Sequence, residues 1–211
     1  TDWDPNDLNL FTLQGETYQG ELDQTIVRLS PVAPFTPAPS PVSQEVSGGH
    51  VLGRWTHTVS ADSDWTLQSY FDRTERDVDL LAEERDTFDL DFQHRFSAAG
   101  RQAIIWGLGY RVTADQFEGS FDAALTPSSR TDHLPSAFVQ DELELIEDRL
   151  WFTAGAKYQH NEYTGNEFQP GVRLLWKPHE RPTLWASVTR AVRTPSRVEN
   201  DIRLNRAPVF P

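Results

Sequence analysis

Between Asp86 and Phe96 the chain reads Asp-Thr-Phe-Asp-Leu-Asp-Phe-Gln-His-Arg-Phe, and apolar and polar residues alternate through almost all of it. Phe88, Leu90, Phe92 and Phe96 fall on one side, with His94 the single interruption. Thr87, Asp89, Asp91, Gln93 and Arg95 fall on the other. A period of two belongs to a β-strand with one oily face and one wet face. The segment Gln102–Thr113 repeats the pattern: Ile104, Trp106, Leu108, Tyr110 and Val112 lie opposite Ala103, Gly107, Gly109 and Arg111.

Similar segments recur at Leu10–Tyr18, Gly48–Val59, Trp65–Thr74, Leu134–Leu145, Leu150–Asn161, Phe168–Lys177 and Thr183–Arg190. Together they predict an all-β, antiparallel up-and-down meander of about nine strands. The register of Gly48–Val59 stays open, because Leu52 and Trp55 fall on opposite faces. After Arg190 the alternation ends. Tight polar turns are expected near 61–64, 97–101, 146–149 and 178–182. Longer connections are expected near 75–85, which is charged, and 115–132. The longest is 20–46, where Pro31, Pro34, Pro37, Pro39 and Pro41 lack ladder donors and point to a loop. Only the connection at 162–167 breaks this short-long rhythm.

Short turns on one rim and long loops on the other are the habit of outer-membrane barrels. Strand length agrees, since ten residues at about 3.3 Å each, tilted by about 40°, cover roughly 25 Å of lipid. Trp65, Phe96, Trp151, Trp176 and Trp185 sit near strand ends, where interfacial girdles favour aromatic rings, although strict alternation turns Trp151 and Trp185 inward. These features predict a partial transmembrane β-barrel.

Composition narrows the function classes. The 211-residue chain carries a formal net charge of −13. It therefore lacks the basic footprint that nucleic-acid binding requires. A mean hydropathy of −0.56 resembles that of a soluble protein. That average says little about a barrel, in which only alternate residues meet lipid. No apolar run approaches the roughly 20 residues of a membrane helix. The chain has no Cys, so disulfides, thiolate nucleophiles and cysteine metal sites are excluded. It opens on Thr1-Asp2-Trp3 and stops at Val209-Phe210-Pro211, with no initiating Met and no signal-peptide core, and it reads as a fragment of a larger barrel.

The chemistry-bearing residues point away from catalysis. Gly107-Leu-Gly109 lacks the third glycine of a nucleotide loop and alternates as a strand, so small inward-facing residues are the better reading. His50, His57, His94, His133, His160 and His179 are scattered and predict no metal site. Asp77, Asp79, Glu83, Glu84 and Asp86 concentrate acid without the spacing of a calcium loop, and a solvated charged segment is expected. There is no nucleophile elbow. Gln140, Glu142 and Glu144 share one strand face and fit a polar lumen lining. Arg190, Arg193 and Arg197, with Thr194 and Ser196, form a basic, hydroxyl-rich patch. Guanidinium forks there could meet an anionic ligand, but ion pairs with acidic neighbours on the lumen wall are favoured in so acidic a chain. Phe88, Leu90, Phe92, Ile104, Trp106, Leu108 and Tyr110 are expected to face lipid. No catalytic residue, metal or cofactor is predicted.

Val51-Leu-Gly-Arg-Trp55, Tyr70-Phe-Asp-Arg-Thr74, Asp86–His94, Trp106-Gly-Leu-Gly-Tyr110, Ser136-Ala-Phe-Val-Gln-Asp-Glu142 and Arg190-Ala-Val-Arg-Thr-Pro-Ser196 resemble, in this order, the barrel of TonB-dependent outer-membrane receptors. The resemblance covers most of the chain. It implies a barrel of about 22 strands with a plugged lumen. It also implies a TonB-contacting box near the N-terminus, a Gram-negative outer-membrane location, and uptake of a scarce ligand such as a ferric siderophore. Outer-membrane lipid, the receptor's own plug domain and TonB would be the partners. Neither a plug nor a box is recognisable here, so the chain by itself is not expected to transport. A passive porin and a soluble β-sandwich binding protein are the alternative readings.

Overall fold

The computed structural model describes residues 1–29, 36–78, 80–120, 122–179 and 182–205. Its strands run β1 Asp2–Asn6, β2 Asn9–Leu29, β3 Pro37–Ser60, β4 Ser63–Val78, β5 Leu81–Ala98, β6 Gln102–Gly119, β7 Ala123–Leu125, β8 Ser129–Ile146, β9 Leu150–Asn161, β10 Gly165–Trp176 and β11 Leu184–Thr189. A short helix α1, Arg197–Asp201, and a last strand β12, Ile202–Leu204, follow. Ten strands form one antiparallel sheet in the order β1-β2-β3-β4-β5-β6-β8-β9-β10-β11. Only β7 and β12 leave that order, to form a two-stranded sheet of their own. The meander is therefore as expected, with an additional N-terminal strand. It is an open sheet, and β1 and β11 are its edges among the described residues.

Register assembles the apolar face. Phe11, Trp55, Leu67, Phe92, Leu108, Ala137, Tyr158 and Phe168 stand opposite one another in one row across eight strands. The neighbouring row runs His57, Trp65, His94, Trp106, Val139, Ala156 and Pro170. The open register of β3 is thereby resolved: Trp55 lies on the apolar face, and Leu52 lies on the polar face between Gln14 and Tyr70. A chain of ring contacts crosses the apolar face. Trp3, Phe11, Trp55, Trp65, Phe92 and Trp106 follow at centroid spacings of 5.3, 5.5, 4.5, 6.1 and 5.4 Å. His94 fits this band because Trp106 Nε1 lies 3.2 Å from its Nδ1 and Ser63 Oγ lies 3.0 Å from its Nε2.

The tight turns fall as expected at Ala61-Asp62, 99–101 and 147–149. In the second, Ala99 and Gly100 both take positive φ, at 51° and 68°. The left-handed backbone there suits glycine, and Ala99 adopts it at a cost of about 1–2 kcal/mol. Residues 180 and 181 of the fourth expected turn lie outside the described residues.

The three long connections are corrected. Residues 20–46 are mostly not loop: β2 and β3 pair without a register shift from Asn9↔His57 to Leu29↔Pro37. Pro37, Pro39 and Pro41 belong to the strand. In an antiparallel ladder alternate residues direct their N–H groups to opposite edges. Prolines at every second position therefore place all their missing donors on one edge. That edge is free, since β3 pairs with β4 no further than Glu45↔Asp77. Pro31 and Pro34 lie outside the described residues. In the charged stretch 75–85, residues 75–78 and 81–85 are likewise paired strand, with Glu75 opposite Glu84 and Asp77 opposite Ala82. Arg73 compensates the acid there, lying 2.8, 3.4 and 3.6 Å from Glu75, Glu84 and Asp86. Asp79 is outside the described residues. The third expected loop, 115–132, is strand up to Gly119 and again from Ser129, with β7 between. The rim asymmetry is thus built mainly from strand length. β2 and β3 have 21 and 24 residues, whereas β9 and β10 have 12 each.

Candidate functional site

The polar face carries the residues that could meet a solute. On β8, Gln140, Glu142 and Glu144 point to this face, opposite Gly155, Thr153 and Trp151 of β9. Glu142 Oε2 accepts a hydrogen bond of 3.3 Å from the Thr153 hydroxyl, and Glu144 Oε1 accepts one of 2.7 Å from the Asp148 amide in the adjoining turn. The rows continue into β10 and β11: Trp151, Leu175 and Trp185 in one, and Thr153, Arg173 and Ser187 in the next. Trp151 and Trp185 thus turn inward, and Lys177 lies 4.7 Å from the centre of the Trp151 ring.

Gly107 and Gly109 lie on the same face. A Cβ at Gly107 would stand 2.5 Å from the Phe138 ring, and one at Gly109 would stand 2.7 Å from Ser136 Oγ. The missing side chains are replaced by neighbours lying across the strand, which accounts for glycine there.

The three arginines of the basic patch do not converge. Arg190 donates to the Phe168 carbonyl at 2.8 Å and lies 3.6 Å from Glu167. Arg193 pairs with Glu199. Arg197 is buried in a corner made by the end of β6, the 120–128 connection and α1. Its Nε lies 3.1 Å from both Asp115 oxygens, its Nη1 pairs with Asp201, and its Nη2 donates to the Pro127 carbonyl at 2.8 Å. Phe117, Ala123 and Leu125 are buried beside it, and the β7–β12 ladder, Ala123↔Leu204 to Leu125↔Ile202, closes the corner. Among the described residues this corner holds the buried hydrophobic side chains of the chain. Each of the three arginines therefore meets a carboxylate.

The corner continues sideways. Arg130 lies 2.5 Å from Asp132, 3.7 Å from Asp201 and 4.4 Å from the centre of the Tyr163 ring. The Tyr163 hydroxyl donates to Asp132 at 3.1 Å. Burial, assisted by the charge of Asp132, pushes the Tyr163 phenol up to about 12. Helix α1 starts on a capping box: Ser196 Oγ accepts from the Glu199 amide, and Glu199 accepts from the Ser196 amide. That backbone bond, with help from Arg193, holds the Glu199 carboxyl below its ordinary value.

The pattern Ser196-x-x-Glu199 was the signal by which α1 could have been found. No local signal announces Asp115 as the partner of Arg197, since 82 positions separate them. Among the described residues no group of three or more His, Asp or Glu is placed to hold a metal ion. The histidines occupy separate places: His57 bonds Asn9, His133 bonds Tyr110 and His160 bonds Asn166.

A ten-stranded antiparallel meander with one apolar face, a band of stacked aromatic rings and a polar opposite face is a section of β-barrel wall. The chain belongs to the family described as TonB dependent receptor-like, β-barrel, whose model matches residues 2–204. No curated protein sequence matches. Among solved structures, the FrpB iron transporter of Neisseria meningitidis (F3-3 variant) is similar at a TM-score of 0.67 and 14% identity, over 90% of this chain and 36% of that one. The siderophore receptor PirA of Acinetobacter baumannii gives a TM-score of 0.66 and 12% identity, over 95% of this chain and 33% of that one. PirA of Pseudomonas aeruginosa gives 0.57 and 12%, over 92% and 40%. At such identities the likeness concerns the fold. The chain spans between a third and two fifths of the length of these structures.

Proposed function

We propose that this chain is part of the wall of an outer-membrane receptor in a Gram-negative bacterium, which takes up a scarce ligand such as a ferric siderophore with energy delivered through TonB. The carrying observation is the apolar face, continuous in register from β2 to β11, in a chain of this family. In this reading Phe88, Leu90, Phe92, Ile104, Trp106, Leu108 and Tyr110 face lipid. Gln140, Glu142, Glu144 and Arg190 line the ligand's path, and Arg193 and Arg197 hold the fold at its outer end. A plug domain inside the barrel and TonB beneath it are the expected protein partners. Loops and strand extensions on a rigid scaffold would set specificity. Family membership favours a receptor over a passive porin, and the reading is one of transport rather than catalysis.

The test is uptake of labelled ferric chelates by iron-starved cells that carry or lack the reading frame containing this chain. Loss of uptake of one chelate is expected, with the same loss in cells that lack TonB. Uptake that needs the reading frame but not TonB would establish the porin alternative.

A further inference from the structure

β10 outlasts its neighbour. β11 pairs with it from Trp176↔Leu184 to Gly171↔Thr189 and stops, while β10 runs on to Gly165. The register survives one residue further, because the Arg190 amide donates to the Pro170 carbonyl at 3.0 Å. From Ala191 to Pro195 no backbone hydrogen bond joins the chain to β10. The segment instead leaves the wall on its polar side, where Arg190 meets Glu167, opposite Gln159. It ends in the corner, with Arg197 buried against Asp115 of β6 and β12 paired with β7. Continued in the register of β11, the same residues would fit β10 as well. Val192 would stand opposite Phe168, on the apolar face beside the pair Val188↔Val172, and Phe168 is 53% exposed as it stands. Arg193 would stand opposite Glu167 on the polar face, an opposite-charge pair across the strands. In the observed arrangement those charges have other partners: Arg190 holds Glu167 and Arg193 holds Glu199. The two arrangements exclude each other. In the second, Pro195 would lie on the line of β11, four strand spacings or about 19 Å from β6. Two further residues cover only about 7 Å, which leaves Arg197 short of Asp115.

We propose that residues 190–205 are a two-position strap at the outer mouth of the barrel. In the latched position, which the structure shows, the strap crosses the polar face from β11 to β6 and narrows the mouth. In the released position 190–194 zip onto β10 as a longer β11, and the strap joins the wall. Arg197 is the latch and acts as a positioning residue. Its guanidinium is satisfied by Asp115, Asp201 and the Pro127 carbonyl together, so leaving the corner strands Asp115 without its partner. Glu167 serves both positions, taken by Arg190 in one and by Arg193 in the other. The inference rests on reading the polar face as the lumen side and is independent of the ligand and of the energy source for uptake.

The test is disulfide trapping in isolated outer membranes that hold the full-length protein. The chain has no cysteine, so an introduced pair meets no competing thiol within it. Asn166→Cys with Thr194→Cys, which face each other in the released position, should cross-link slowly under mild oxidation. Arg197→Met should speed that reaction by roughly tenfold, and Asp115→Asn by less, as each shifts the strap away from the latch. Ala124→Cys with Arg203→Cys, opposite each other in the latched position, should cross-link quickly and more slowly once Arg197→Met is added. Val172→Cys with Val188→Cys, opposite each other in both positions, should react at a rate that neither substitution changes. On intact cells, Gln159→Cys alone should take up fluorescein maleimide from outside faster when Arg197→Met is present. Near-UV circular dichroism of the stacked tryptophans checks that each variant is folded. The proposal is overturned if the 166–194 pair reacts no faster in folded Arg197→Met and Asp115→Asn proteins, or if maleimide reaches Gln159→Cys equally fast with the latch and without it. None of these readouts needs a transported ligand or TonB, so failed uptake with intact switching would count against the transport reading alone.

Discussion

Two structures stand on the same rim of this sheet, beyond the apolar belt, and they hold together differently. One is the β2–β3 arm, which continues past Val51 for about 14 further residues of β3, roughly 45 Å. Its upper part has a ladder but no core, and Leu22 and Val27 are 59% and 72% exposed. The other is the corner where α1 and β12 fold onto β6, β7 and β8, with Arg197 and Asp115 both about 6% exposed. The arm is stabilised mainly by backbone pairing, with a 3.0 Å hydrogen bond from the Ser43 hydroxyl to Glu21 across it and prolines along its free edge. The corner is stabilised by side chains and by a buried charge that must be matched. Outside a membrane, where water can satisfy both sides of a ribbon, a strand pair can be extended without packing, whereas a chain segment that leaves the ladder needs buried contacts of its own.

The largest effect should come from removing the charge match. Arg197→Met leaves Asp115 buried and unpaired, at a cost of about 3–5 kcal/mol. Hydrogen exchange should rise at 120–128 and 190–205 and stay unchanged along the arm. Equal loosening of both would mean that arm and corner are one cooperative unit. Adding Asp115→Leu to Arg197→Met should recover much of the loss, because it removes the stranded charge.

Next in size is the belt on which both structures stand. Leu90→Arg places a cation on the apolar face at a cost of roughly 2–4 kcal/mol, if that face meets lipid. Membrane yield of the full protein should fall sharply, while Asp91→Asn on the polar face should be tolerated. Equal yields would refute the assigned register.

Ser196→Ala removes the helix cap and should cost about 1 kcal/mol, visible as faster exchange in α1 and nowhere in the arm. In contrast, Pro39→Thr should change the stability of the folded state by no more than about 0.5 kcal/mol. Its effect should appear as self-association, read by sedimentation, because it restores a donor to a free strand edge. A last test, confined to high pH and silent at neutrality, sharpens the corner by titration. The Tyr163 phenol is raised above its unfolded value, so its contribution to stability is complete below about pH 10 and is lost as pH rises through about 12. A difference titration against Tyr163→Phe, followed by tyrosinate absorbance, should place the midpoint there. A midpoint near 10 would mean that the phenol is not held by the corner.

The sequence pattern is legible where the environment is one-sided. Phe88 to Phe96 and Ile104 to Val112 alternate because one face is apolar and the other is polar, and the meander and its register follow from that. Above the belt both faces are wet, so Gly20 to Val46 has no reason to alternate and its strands leave no periodic trace. Pro37, Pro39 and Pro41 then mislead, because a proline that rules out a central strand is harmless at a free edge. The corner escapes for another reason. Arg197 reads as one of three basic residues, and nothing near it in sequence distinguishes the one that is buried.

The strand order has a consequence for the course of folding. Apart from β6 and β8, every neighbouring pair in the large sheet joins strands that are consecutive along the chain, so each hairpin closes a short loop and can form beside the last one. Arg197 and Asp115, by contrast, are separated by 82 positions, and β12 must find β7 across the whole of β8–β11. Closing so long a loop forfeits more chain entropy before any contact rewards it. The wall should therefore grow strand by strand, and the corner should form as a late event, after β8 to β11 have brought its two halves within reach.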